Sequence, residues 1–163
     1  MENLENRIDV EAVNKDEFSE LFKSCYLTII RTTQESKLRA ASAILANLLL
    51  RHDDPDKLSY TELDHLVRCV DSLSSGAIHA IGVIYKLSQN RSGLLKLGEI
   101  RTRMDNIEPS LLMGLVSELH MMHFIDLPAL TLTTPLFGLE DYESRSFGFT
   151  PLGTRFVERL LLN

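Results

Sequence analysis

From Lys15 to about Asn90 the apolar residues recur every three or four positions, and no alternating stretch interrupts them. This half of the chain is therefore expected to fold as helices. Phe18, Leu21, Phe22, Cys25, Tyr26 and Ile29 set the period of a first helix, Lys15 to Thr33. Asn14 and Glu17 have capping-box spacing ahead of it, and Asp16 and Glu17 suit the positive end of a helix dipole. Leu38, Ala41, Leu45, Leu48 and Leu49 make a second stretch, Lys37 to Arg51, either continuous with the first or broken near Thr32 and Thr33. Pro55, preceded by His52, Asp53 and Asp54, closes it, because the residue before a proline avoids helical backbone. Ser59 and Glu62 form another capping box, opening a helix that carries Leu63, Leu66, Val67, Val70 and Leu73. Past Ser74, Ser75 and Gly76 a fourth helix carries Ile78, Ile81, Val83, Ile84 and Leu87.

After the loop signal Asn90-Arg91-Ser92-Gly93 the texture changes. Gly98 to Asp105 suits a short helix. Pro109 stands where a first helical position belongs, and Leu111 to Ile125 carry the apolar period. Leu130 to Thr133 and Phe147 to Thr150 alternate as strands do. The polar, turn-rich segment Gly138 to Arg145 lies between them, and Thr154 to Leu162 reads as a terminal amphipathic helix.

The order of short helix, longer helix, strand, polar loop, strand and helix resembles a winged helix-turn-helix domain. Ser117-Glu118-Leu119-His120-Met121-Met122-His123-Phe124-Ile125 is similar to the end of that superfamily's third helix. Phe147-Gly148-Phe149-Thr150-Pro151-Leu152-Gly153 is similar to the return strand of the wing and its entry into a last helix. Glycine commonly stands where this chain has His123, because the helix ends there in left-handed backbone. Histidine is among the few other residues that tolerate positive φ. The resemblance covers roughly residues 75–163, and residues 1–74 match no family. The expected fold is mainly α: a helical region over 1–74, bearing possible dimerisation helices, packed on a winged-helix domain over 75–163 with a two-stranded wing.

Charge argues against nucleic acid. Lys and Arg number 17 against 23 Asp and Glu, a net charge of -6 over 163 residues. Residues 91–163 hold seven basic and nine acidic groups, so neither half is basic. Winged-helix relatives that bind DNA insert the third helix in the major groove, where Arg, Lys, Asn and Gln read bases. No Arg or Lys lies between Ile107 and Ile125, and the wing holds Glu140, Asp141 and Glu143 against Arg145. A DNA-binding regulator would have to rely on Lys96, Arg101, Arg103 and Arg145, next to Arg91.

Two cysteines far apart, a polar N-terminus and an apolar run (Ala40 to Leu50) too short for a bilayer point to a cytoplasmic protein with no membrane segment. His65 and Cys69 are four apart, a spacing that can hold zinc, but no second pair complements them. His120 with His123 reads as a helix end, His52-Asp53-Asp54 as a solvated turn, and Cys25 as core. No phosphate loop, nucleophile elbow or zinc-protease motif occurs, so neither an enzyme nor a cofactor is expected. The leading expectation is a non-enzymatic regulatory or adaptor module that acts through protein partners and forms a homodimer. Its candidate contact residues are Met113, Glu118 and Met121, with Met122 and Phe124 beside them, since methionine suits surfaces that accept varied partners.

Overall fold

The computed structural model describes residues 7–11, 13–89, 94–126 and 146–162. The chain is mainly helical with a small antiparallel sheet, and it divides into two compact units. Residues 1–72 with 158–163 make the first, and residues 73–157 the second.

In the first unit, α1 (Lys15–Arg31) begins where the sequence places it. The Asn14 side chain accepts hydrogen bonds from the backbone N–H groups of Asp16 and Glu17, at 3.0 and 3.4 Å. The helix stops at Thr32, whose backbone is extended and whose hydroxyl accepts from the Gln34 N–H at 3.1 Å. That bond breaks the chain between α1 and α2 (Glu35–Leu48), so the two are separate helices. Ser59 and Glu62 form the expected reciprocal box at the head of α3 (Tyr60–Ser72): the Glu62 N–H donates to the Ser59 hydroxyl and the Ser59 N–H to the Glu62 carboxylate. Leu21, Cys25, Ile44, Leu63, Leu66 and Val70 fill the space between the three helices.

Lysines close two of the C-termini. The Lys57 ammonium donates to the carbonyls of Leu48 (2.5 Å) and Leu50 (2.9 Å), and the buried Lys37 donates to that of Asp71 at 2.9 Å. Each places a cation at the negative end of a helix dipole and satisfies carbonyls that the helix leaves open. Buried Asn47 pins the intervening loop by donating to the Asp56 carbonyl and accepting from the Leu58 N–H. Ile8 pairs as a short antiparallel bridge with Leu50.

In the second unit, Ser74 caps α4 (Ser75–Ser88) by accepting from the Ala77 N–H. Then follow β1 (Leu95–Lys96), α5 (Leu97–Arg103), α6 (Pro109–Met121), β2 (Ile125–Asp126), β3 (Ser146–Phe149) and α7 (Pro151–Phe156). A π-helical turn, Val157–Leu161, prolongs α7. The sheet order is β1-β3-β2, with Leu95 opposite Phe147 and Ile125 opposite Phe149. The sheet thus has a third strand, β1, which the expected two-stranded wing lacked. The expected strand Leu130 to Thr133 and the polar loop 138–145 lie outside the described residues, as does the seam 90–93.

The period from Leu111 suggested a helix to Ile125, but α6 ends at Met121 because His123 adopts a φ of 58°. The His123 N–H returns to the His120 carbonyl and the Phe124 N–H to that of Leu119, a Schellman termination with histidine in the glycine position. Phe124 then turns inward and stacks on Phe156, ring centroids 4.4 Å apart. Both are fully buried with Phe147, and each stabilises the unit by about 1.5–3 kcal/mol. Thr150 fixes the corner. Its hydroxyl donates to the His123 carbonyl at 2.6 Å and accepts from the Gly153 N–H at 3.0 Å. Gly153 is bare for a steric reason: a Cβ there would stand 2.0 Å from the Phe124 carbonyl oxygen.

Candidate protein-contact surfaces

Pro109 starts α6, and the Glu108 carboxylate caps it by accepting from the Leu111 N–H at 2.9 Å. Leu112, Leu115, Val116 and Leu119 face inward, so the register turns Ser110, Gly114, Ser117 and Met121 to solvent. Met121 is 74% exposed. Leu111, at the rim of the same face, is also exposed, and a Cβ on Gly114 would touch nothing within 4 Å. The result is a smooth, nearly uncharged helix surface with an apolar residue at each end.

Of the other expected contact residues, Met113 and Met122 are half-buried. Phe124 is core and drops out of the patch, because the Schellman turn after Met122 aims it into the unit. Glu118 is engaged: its carboxylate accepts from the Ser74 hydroxyl at 2.8 Å and from the Ser74 N–H, tying α6 to the start of α4.

Of the expected basic residues, Lys96, Arg101 and Arg103 are among the described residues. Lys96 and Arg103 are exposed at opposite ends of α5, whereas Arg101 donates to the Ile107 carbonyl at 3.1 Å and shapes the turn into α6. Arg145 lies outside the described residues.

A second surface lies on α1, one of the helices expected to offer an apolar stripe for dimerisation. Phe22 and Tyr26 share the helical period of Leu21 and Cys25. In the fold only Leu21, Cys25 and Thr28 of α1 are buried, while Phe22, Tyr26, Leu27 and Ile30 stay exposed. Phe18, Phe22 and Tyr26 stack along the outside with ring centroids 5.9 and 6.4 Å apart. The stripe runs into a groove of about 500 Å³ whose lining includes Val10, Val13, Phe18 and Leu49.

Polar clusters elsewhere in the first unit are committed to structure. Arg7 grips Asp54 through two hydrogen bonds (2.7 and 2.8 Å) and reaches Asp56 at 2.7 Å, while Arg159 meets Asp56 at 2.5 Å. The Arg7 guanidinium, and the Asp56 N–H after it, hold the Asp54 carboxyl down at about 2. A cleft lined by Asp9, Glu17, His52 and Lys57 collects titratable groups. Yet the Lys57 ammonium is turned to two carbonyls, and desolvation lowers its pKa.

Burial pushes the thiols of Cys25 and Cys69 up to about 11, which disfavours the thiolate that nucleophiles and metal ligands require. Cys69 Sγ stands 3.5 Å from His65 Nε2. No group of three His, Cys, Asp or Glu side chains able to hold a metal occurs among the described residues, and none of their helices alone is long and apolar enough to cross a membrane. Compared with family models, curated proteins and solved structures, the chain matches none.

Proposed function

We propose that the second unit is a winged helix-turn-helix domain and that the protein is a non-enzymatic regulatory or adaptor module working through protein contacts, self-association included. The element order α4-β1-α5-α6-β2-β3-α7 and the sheet order β1-β3-β2 support the fold reading, together with the Thr150-to-Gly153 corner beneath α7.

One observation carries the functional reading. The outer face of α6, the face that DNA-binding relatives lay in the major groove, presents Leu111, Gly114, Ser117 and Met121 and no Lys or Arg. Phosphates gain little from such a face, and another protein can bury it. A DNA-binding regulator is the second reading, favoured by the exposure of Lys96 and Arg103 at the two ends of α5.

The test is a fluorescence-anisotropy titration with a random-sequence duplex at low salt, the condition kindest to phosphate contacts. The proposal expects no saturable binding. A complex that K96E with R103E dissolves would establish the second reading in its place.

A further inference from the structure

We infer that the outer face of α1 is a two-fold interface for a second copy of this chain, with the two α1 helices antiparallel. This inference rests on the self-association part of the proposal above and names its surface.

The first argument is area. Val10, Phe22, Tyr26, Leu27 and Ile30 are 44–67% exposed. With large side chains offering roughly 150–250 Å² each when bare, they present on the order of 450 Å² of apolar surface. A stable interface buries about 800 Å² per partner, a little over half of it apolar. The stripe therefore supplies the apolar share that a dimer needs. It also falls within the roughly 300–600 Å² of the largest patch a typical monomer leaves uncovered, which is often functional.

The second argument is shape. Ile30 protrudes at one end of the stripe, and the Val10–Phe18–Leu49 groove opens at the other. On a helix rising 1.5 Å per residue those ends are about 18 Å apart. An axis between Phe22 and Tyr26 carries each Ile30 to the partner's groove and each Phe22 to the partner's Tyr26.

The test is light scattering of the full chain on a sizing column over a wide concentration range, with cross-linking. Wild type is expected to show the mass of two chains and to dissociate on dilution. F22D and Y26D are expected to raise the dissociation constant at least about tenfold, as loss of a central aromatic anchor does. The geometry has its own readout that introduces no charge. Cα atoms must approach within about 7 Å for a disulfide, so F18C mixed with I30C is expected to cross-link under oxidation and neither variant alone. Native Cys25 and Cys69 are buried and do not compete. A single-chain mass at every concentration would overturn the inference while leaving the α6 contact surface standing. F18C linking to itself would overturn the antiparallel pairing. Dissociation by M121D in place of F22D would move the interface to α6.

Discussion

His123 and Gly153 show opposite uses of backbone freedom. His123 holds a φ of 58°, a region that costs residues with a Cβ roughly 1–2 kcal/mol. Its ring contributes no burial that would offset this, since it is exposed. H123G is expected to stabilise the protein by about 1 kcal/mol, read as a higher urea midpoint at unchanged slope. Gly153 has no such latitude. G153A must drive a methyl group into the Phe124 carbonyl 2.0 Å away and prise α7 off the strand below it. A loss of about 3 kcal/mol is expected, with the stacked Phe124–Phe156 pair disrupted. An unaltered midpoint would show that the corner yields cheaply. Both positions were legible only through the winged-helix resemblance, since the apolar period alone ran on to Ile125. What Gly153 packs against was not legible, since the carbonyl it makes room for lies 29 residues upstream.

Caps and proline set the starts of the helices, and the sequence carries them plainly: Asn14, Ser59, Ser74 and Pro109 each stand at the head of a helix. The two-residue strands β1 and β2 are different, being too short to show alternation; pairing with β3 defines them. The faces of α1 were illegible for another reason. Two apolar stripes side by side share one period, and only the neighbours on Leu21 and Cys25 decide which is core. On α6 the inward set had a single solution, and Met121 points outward as that register requires. M121D is accordingly expected to leave the helical circular dichroism intact and to weaken capture of a protein partner in cross-linking. Loss of the fold would show that Met121 packs inward. The loop that Arg7 clasps titrates. The Asp54 carboxyl is held at about 2 against an ordinary 3.8, so its contribution to stability is complete above pH 3.8 and is lost as the pH falls through 2. Wild type and D54N are expected to differ by a constant amount in thermal midpoint near neutrality, the gap closing between pH 4 and 2. A gap that persisted at pH 2 would remove the ion pair from the account.

At the scale of the whole molecule, an acidic chain carries exposed apolar side chains on two helix faces, α1 and α6, and among the described residues Arg7, Asp54 and Lys57 are held in structural bonds. Surface of that kind is spent on other proteins more readily than on phosphates. The charge pattern behind this reading was visible in the sequence alone. The excess of apolar surface on the first helices was visible there too, and the fold shows that on α1 Phe22, Tyr26, Leu27 and Ile30 are the exposed part of it. The most direct test is light scattering on a sizing column at low salt, with and without a random-sequence duplex. The account predicts the mass of two chains, unchanged by the duplex, which elutes separately. A single-chain mass that co-elutes with the duplex would contradict it.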